Sequence, residues 1–185
     1  MEKPSDLEKH IGHLVQNLID CGIFVRGGND VEKFTPTAVI EPRTEIANPT
    51  LSEIRGTRRR TISFWHAAFR AHLHLKFRSL QWVVERIMEI KRSRSDLIPA
   101  AHQLSRAKEL ILGFQALRPS FPRNYLCMFD SLALLHYLFR HGVSADWIYG
   151  VQPNPFEAHC WLQSDSVVLN DLVDHVRKFT PIMAV

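Results

Sequence analysis

The sequence predicts an α+β fold, in which a helical N-terminal half is followed by one more helix packed on a small antiparallel sheet. Up to about residue 140, apolar side chains recur every three or four positions, which is the spacing of amphipathic helices. After residue 144 the pattern changes to short runs of branched and aromatic residues separated by turn residues, which is typical of strands. With 185 residues, 45% of them hydrophobic, the chain is large enough for one domain with a true core and an N-terminal appendage.

The first predicted element is an amphipathic helix over residues 6–21, which Gly22 ends and a short strand follows. A glycine turn and three prolines then indicate a linker over residues 27–60. The sequence therefore predicts three regions, namely a helical unit over residues 1–26, the linker, and the main domain over residues 61–185.

Two long helices open the predicted main domain. Residues 62–90 carry apolar side chains at helical spacing among basic ones, and they are predicted to form a single helix. A second helix is predicted over residues 96–117, where the apolar positions again step by three or four. Pro119 and Pro122 follow it, and proline ends a helix because its ring disrupts the backbone hydrogen-bond pattern.

A last helix and three strands complete the predicted domain. Asn124 is the predicted N-cap of a helix that runs to about residue 140, and Gly142 is the predicted left-handed residue after it. The three strands are predicted at residues 145–151, 156–162 and 167–171.

Three residues of this C-terminal part form a candidate catalytic set. Cys127 lies in the first turn of the last predicted helix, where the positive end of the helix dipole favours the thiolate over the thiol. His159 lies on the second strand and can serve as the base that a cysteine nucleophile requires. If the hairpin between the last two strands is centred on Asp165, residue 171 pairs with residue 159, and Asp171 can then orient the imidazole.

Structural roles are the alternative for each of these residues. A single cysteine with apolar neighbours is most often an inert core residue, and a single strand histidine is usually structural. The joint pattern favours catalysis, because a cysteine at a helix start is followed in the chain by a strand histidine and an opposed aspartate. The backbone N–H of Cys127 is then the expected first donor of an oxyanion hole, and Asn124 and Tyr125 are candidates to line the cleft.

Strand alternation separates the neighbours of His159. His159 and Trp161 share one face, where Trp161 either shields the imidazole or is plain core, and Cys160 lies on the other face and points away from His159. A zinc site built from Cys127, His159 and Cys160 would therefore be strained, and we predict no metal. The sequence also lacks a glycine-rich phosphate loop, and no cofactor is predicted.

Charge and cysteine content limit the other classes of function. The formal net charge of +4 is spread along the chain, and the basic run at residues 58–60 is interpreted as a solvated face, so no nucleic-acid partner is predicted. The three cysteines form no C-x-x-C pair, which favours a reducing, cytoplasmic location. No membrane span is predicted, because no run of about 18 apolar residues is present.

The C-terminal motifs together resemble a known family. These motifs are Cys127 at a helix start, Pro155-Phe156, His159-Cys160-Trp161, Asn170-Asp171 and the closing segment from Phe179 to Ile182. In this order they resemble the lasso peptide B proteins, the leader peptidases of lasso peptide biosynthesis. The resemblance implies a transglutaminase-like cysteine peptidase fold related to papain. It also implies that Cys127 is the nucleophile, His159 the general base and acid, and Asp171 the orienting carboxylate.

The resemblance further implies a reaction and partners. The substrate would be a ribosomally made lasso precursor peptide, cut between leader and core, and an asparagine-synthetase-like lasso cyclase would then use the freed amine to form the macrolactam. Family members commonly carry or recruit a winged-helix module that binds the leader, and residues 6–25 resemble only its last helix and strand. A separate leader-recognition protein is therefore a candidate partner. The alternative is that residues 6–25 form a helix docked on the main domain.

Two other functions stay open at this point. The same three residues could serve an acyltransferase, in which an amine captures the thioester, as in transglutaminases and arylamine N-acetyltransferases. A non-catalytic scaffold, whose basic helices hold a peptide or a nucleic acid, is the third possibility.

Overall fold

The long helices precede the long strands of the sheet in the chain, and the α+β class predicted from the sequence is confirmed. The structure is a computed structural model that describes residues 39–46, 58–94 and 96–185. The helix predicted over residues 6–21, and the strand after it, lie outside the described residues. The division of the chain into three regions therefore stays a prediction.

The described helices and strands have the following bounds. The helices are α1 (Arg58–Phe77), α2 (Leu80–Ser93), α3 (Leu104–Leu117), α4 (Cys127–Arg140) and α5 (Val173–Val176). The strands are β1 (Thr44–Glu45), β2 (Ile98–Pro99), β3 (Val143–Ser144), β4 (Asp146–Pro153), β5 (Phe156–Ser164), β6 (Val167–Val168) and β7 (Thr180–Ala184). None of the described helices combines the length and apolarity that crossing a membrane requires.

The single helix predicted over residues 62–90 is wrong, because the structure has α1 and α2 with a break at Arg78 and Ser79. Ser79 has extended backbone angles (φ −67°, ψ 155°), and its hydroxyl accepts the N–H of Trp82 at 3.3 Å. A serine N-cap of this kind starts a new helix. The apolar spacing continues across the break, which is why it predicts one helix.

The helix predicted over residues 96–117 begins later, at Leu104. Ile98 and Pro99 instead form β2, which pairs in parallel with β3, and a 3-10 turn follows. Proline has no backbone N–H and disfavours the helical conformation of the residue before it, so Pro99 delays the helix. The predicted end at Leu117 is confirmed.

The main sheet has the strand order β1-β6-β5-β4-β7. A long antiparallel pair, β4 and β5, forms its centre, and β7 lies antiparallel on the outer side of β4. On the other side, β6 pairs with β5 at two positions only, and β1 adds to β6 in parallel. The first two predicted strands agree with β4 and β5 to within two residues, whereas the third ends at Val168 and not at residue 171.

The core is built around α4. Ten of its 14 residues are buried, since α1 packs on one side and β5 on the other. A helix that is apolar on all sides is typical of such a central position. Gly142 follows with φ 76°, which confirms the predicted left-handed stop. The opposite end of α4 reaches the surface, and its first residue, Cys127, is exposed.

Residues 39–46 lie along the edge of the sheet. The carbonyl of Ile40 accepts a hydrogen bond from Gln163 Nε2 at 2.6 Å, and the carboxylate of Glu45 accepts the N–H of Val173 at 2.5 Å. The first contact binds β5, whereas the Glu45 contact and the pairing of β1 with β6 hold the two ends of the chain that leads from β6 to α5. That chain carries Asp171.

Candidate active site

Cys127 is the first residue of α4. The N-cap is Leu126, so the predicted cap at Asn124 is wrong. The apolar side chain of Leu126 cannot cap the helix, and its own backbone N–H donates instead to the carboxylate of Asp130 at 2.8 Å. This places an acidic group in the first turn, which stabilises the positive end of the helix. The exposed thiol therefore lies where a negative charge is favoured.

Arg118 fixes the segment that leads to Cys127. Its side chain is buried, with 3% exposed, and its Nε donates to the carboxylate of Asp130. Its Nη2 donates to the carbonyls of Arg123 and Asn124 at 3.1 and 3.0 Å. Sequence reasoning missed Arg118, because contacts with backbone carbonyls and with a distant carboxylate leave no local pattern.

The structure brings His159 and Asp171 together. The Nε2–H of His159 donates to Asp171 Oδ2 at 2.5 Å, and the two side chains are 15% and 17% exposed. His159 also hydrogen-bonds the thiol of Cys127. The three residues predicted from the sequence are therefore in contact in series, from sulfur to ring to carboxylate.

These contacts polarise the pair of Cys127 and His159. Hydrogen bonds from Cys160 and His159 lower the pKa of Cys127 to about 4. Burial by itself lowers the pKa of His159, but hydrogen bonds with Asp171 and Cys127 outweigh burial and raise that pKa to about 9. Near neutral pH the pair is therefore a thiolate beside an imidazolium.

Asp171 reaches His159 by a route that differs from the prediction. In the ladder between β5 and β6, Gln163 pairs with Val168, which is one residue out of the predicted register. Continued along the strands, this register would place residue 171 opposite Cys160 and not opposite His159. The turn lies at Asp165 and Ser166, because Ser164 pairs with Val167, so its centre is half a residue beyond the predicted one; Asp165 has φ 50°. Asp171 follows the end of β6, and among the described residues no strand covers the edge of β5 beside His159. The site opens at this edge.

His175 is a fourth group of the site, which sequence reasoning missed. Its Nδ1–H donates to Asp171 Oδ1 at 2.9 Å, and its ring centroid lies 4.8 Å from that of His159. Burial raises the pKa of Asp171, but hydrogen bonds from the two histidines and from the N–H of Leu172 outweigh burial and leave that pKa lowered. The available signal was the spacing of four residues between Asp171 and His175, which matches one helical turn.

The described residues that could hold a metal ion are His159, Asp171 and His175. Their ligand atoms lie within 4.8 Å of one another. Two imidazoles and a carboxylate are a donor set that zinc accepts. However, Nε2 of His159 and Nδ1 of His175 each donate a hydrogen bond to Asp171. Hydrogen bonding by itself therefore accounts for the cluster.

Cys160 lies on the buried face of β5, as alternation predicts, and it belongs to the site all the same. Its side chain is 2% exposed, and its Sγ lies 3.5 Å from the hydroxyl of Ser131 in α4. Cys127 and Cys160 line the same cleft, and each shifts the pKa of the other. Cys160 therefore lies near the nucleophile, although alternation places it on the face of β5 opposite His159.

Aromatic rings hold the imidazole of His159. Trp161 is 1% exposed, and its ring lies nearly parallel to that of His159 with 6.0 Å between centroids. Trp161 is therefore part of the core and also covers one side of the imidazole. The ring of Phe179 lies 5.1 Å from His159 on another side. Gly150 pairs with His159 in the sheet, and a Cβ at this position would lie 2.8 Å from the Cβ of Phe179. The absence of a side chain at Gly150 makes room for both rings.

The catalytic set opens onto a cleft of about 610 Å³. We call its two sides the helical wall, formed by α3, residues 118–126 and α4, and the sheet wall, formed by β5 and residues 170–175. Tyr125 lines the helical wall, as predicted, whereas the carbonyl of Asn124 is bound by Arg118. Gln115 also lines the helical wall, and its amide makes no side-chain hydrogen bond with the described part of the chain.

Comparison with known proteins gives one result. A family model described as the Transglutaminase-like superfamily matches residues 67–184, which is more than half of the chain. The match runs from within α1 to the end of β7 and contains Cys127, His159 and Asp171. No curated protein and no solved structure matches the chain.

Proposed function

Because the chain belongs to the transglutaminase-like superfamily, which includes cysteine proteases and acyltransferases, we propose that it is a cysteine peptidase that removes the leader from a ribosomally made lasso peptide precursor. The observation that carries the proposal is the exposed thiol of Cys127 at the start of α4, hydrogen-bonded to His159 and through it to Asp171. Superfamily membership supports the chemistry. The resemblance of the C-terminal motifs to the lasso peptide B proteins supports the substrate.

The first half of the reaction forms a thioester. The thiolate of Cys127 attacks the carbonyl carbon of the scissile peptide bond, while Asp171 keeps the imidazolium oriented. The bond between carbon and nitrogen breaks as His159 gives its proton to the departing amine. The core peptide leaves with a free N-terminus, and the leader stays bound to the sulfur.

The negative charge on the attacked carbonyl oxygen requires hydrogen-bond donors. The backbone N–H of Cys127 lies in the first turn of α4, where N–H groups have no partner within the helix. The amide of Gln115 faces the same cleft from the wall opposite His159, and we assign it as the second donor. A donor across the cleft from the base stabilises the oxygen without competing for the departing amine.

The second half of the reaction releases the leader. His159, now neutral, takes a proton from water, and the resulting hydroxide attacks the thioester carbon. The bond between carbon and sulfur breaks, the leader departs as a carboxylic acid, and the thiolate of Cys127 is restored beside the imidazolium. No proton or electron is gained or lost over the cycle.

The cleft suits a peptide in an extended conformation. It is open to the surface, and a volume of about 610 Å³ can hold several side chains around the bond that is cut. Tyr125 and Leu126, which are 66% and 51% exposed, offer apolar surface directly beside the thiol. The cleft therefore has room for substrate residues on both sides of Cys127.

The chemistry of the product supports the partners. Cleavage frees the amine that an asparagine-synthetase-like lasso cyclase would join to a side-chain carboxylate. The leader would be held by residues 1–26 or by a separate leader-recognition protein.

The test is direct cleavage of a lasso precursor by the purified protein, followed by mass spectrometry. The expected products are the leader acid and the free core. Cys127→Ala and His159→Ala should each lower the rate by several orders of magnitude, whereas Cys21→Ala, the matched control, should keep it. An intact precursor, both with and without an added leader-recognition protein, would argue against this substrate.

Acyl transfer is the second candidate function, because the superfamily also includes acyltransferases. In that case an amine captures the thioester, and the product mass shows an amide in place of the leader acid. A non-catalytic scaffold would keep its function in Cys127→Ala.

A further inference from the structure

A second thiol lies beside the nucleophile, and the proposed cleavage does not use it. Cys160 lines the same cleft as Cys127, and its sulfur contacts Ser131, whose hydroxyl donates to the carbonyl of Cys127. The two sulfur atoms differ in access to solvent, since Cys127 is exposed and Cys160 is 2% exposed. A small oxidant in solution therefore meets Cys127 first.

The surroundings of Cys160 keep its thiol protonated. The hydroxyl of Ser131 donates to the carbonyl of Cys127 at 2.5 Å, and its oxygen accepts the indole N–H of Trp147 at 2.9 Å. Since the single hydrogen of Ser131 is engaged, it is the thiol of Cys160 that donates, either to Ser131 Oγ or to Cys127. The neighbouring Cys127 sulfur and burial both raise the pKa of Cys160. The pair thus consists of one reactive thiolate and one protonated thiol in the same cleft.

We propose that Cys127 and Cys160 form a reversible oxidation site, in which a hydroperoxide oxidises Cys127 and Cys160 then closes a disulfide with it. This inference goes beyond leader cleavage and does not depend on the identity of the substrate. It follows from the cleft that the two cysteines share, from the Ser131 contacts that join them and from their unequal exposure.

The chemistry balances in two steps. The thiolate of Cys127 attacks one peroxide oxygen, the bond between the oxygens breaks, and the leaving oxygen takes a proton from the imidazolium of His159, which gives a sulfenic acid. The sulfur of Cys160 then attacks the sulfur of Cys127, and the hydroxyl group leaves with the proton of Cys160 as water. The two cysteines lose two electrons and the peroxide gains two. A dithiol reduces the disulfide back to two thiols by thiol–disulfide exchange.

The arrangement protects the nucleophile from permanent damage. A sulfenic acid without a nearby thiol is oxidised further to a sulfinic acid, which ordinary thiols do not reduce. Ser131 contacts both residues, through the carbonyl of Cys127 and the sulfur of Cys160, so the second thiol lies near the first.

The test uses the full chain with Cys21→Ser, because this substitution leaves Cys127 and Cys160 as the two cysteines of the chain. The protein is treated with hydrogen peroxide, alkylated, digested without reductant and analysed by mass spectrometry. We expect a cross-linked peptide that joins Cys127 to Cys160, with a loss of about 2 Da, and its disappearance with dithiothreitol. In the Cys160→Ala variant, the mass of Cys127 should instead rise by about 32 Da, and dithiothreitol should not reverse this rise.

The inference would be overturned if Cys127 with Cys160 present reached the sulfinic state as fast as the Cys160→Ala variant, or if no cross-link formed. Cys160→Ser, which keeps the size and polarity of the side chain, repeats the comparison if the alanine variant does not fold. The readout is a mass and not an activity. A protein that cuts no lasso precursor can therefore still form the disulfide, and an active peptidase can still fail to form it.

Discussion

The two walls of the cleft are held by different kinds of interaction. On the helical wall, Arg118 and Asp130 pair within the protein and bind the backbone around the start of α4. On the sheet wall, His159 is held by the rings of Trp161 and Phe179 and by one short hydrogen bond. The nucleophile is therefore positioned through polar contacts with the main chain, and the base through ring packing. A change on the first wall should damage folding and activity together, whereas changes on the second should act mostly on the base.

The largest effect is expected from Arg118→Ala. It leaves the partly buried carboxylate of Asp130 unpaired and removes the donors to two carbonyls, which should cost about 3–5 kcal/mol of unfolding free energy. Urea denaturation measures this loss. Arg106→Ala, a matched control that removes surface hydrogen bonds to the carbonyl of His141 and to the side chain of Gln103, should cost about 1 kcal/mol or less. Equal losses in the two variants would mean that the helical wall does not depend on Arg118.

The next effect is expected from Asp171→Asn on the sheet wall. It should lower the cleavage rate about a hundredfold or more, but less than Cys127→Ala does. The pH profile of kcat/KM sharpens the test. In the unchanged protein it should rise through the pKa of Cys127 at about 4 and fall through the pKa of His159 at about 9. Because the carboxylate raises the pKa of His159, the alkaline limb of Asp171→Asn should move to lower pH, and an unmoved limb would contradict the assigned role.

A smaller effect is expected from Gly150→Ala. The new Cβ would lie 2.8 Å from the Cβ of Phe179 and 3.0 Å from the ring of Trp161, so the rings beside His159 must shift, at a cost of about 1–3 kcal/mol. Cleavage should fall with the stability. Gly113→Ala is the matched control, because its Cβ would lie 3.7 Å from the hydroxyl of Tyr137 and alanine favours the helix. Thermal denaturation measures the stability of the two variants, and equal melting temperatures would contradict the packing argument.

The smallest effect is expected from His175→Ala. His175 is 41% exposed and holds one oxygen of Asp171, while the other oxygen still accepts from His159. The cleavage rate should fall about fivefold, which corresponds to about 1 kcal/mol. His102→Ala, which removes an exposed histidine outside the cleft, should leave the rate unchanged. A loss for His175→Ala as large as that for Asp171→Asn would place His175 among the essential groups.

Sequence reasoning located α4, β4 and β5 to within a few residues, because their apolar and aromatic patterns are dense and their ends carry turn residues. It missed the break at Ser79, since the apolar spacing runs on through it and a hydroxyl cap is decided by one hydrogen bond. It also overlooked Pro99, which has a strong local effect and delays α3. Periodicity reports which face of an element is buried and says little about where the element begins.

The candidate site shows the same limit. Cys127, His159 and Asp171 could be selected from chain order and motif resemblance, yet the ladder expected to align the last two is shifted by one residue from the predicted register. Alternation assigned Cys160 to the correct face of β5 but could not show that the strand edge is uncovered there. The contacts of Arg118 go to carbonyls that every residue carries, and no sequence pattern distinguishes them.

The nucleophile lies at the open end of a helix that is buried along most of its length, and this has a practical consequence. α4 cannot fray inward without opening the core, so its inner amide hydrogens should exchange with solvent only when the whole domain opens. Heating or denaturant should then inactivate the chain in a single step, with no half-active form on the way.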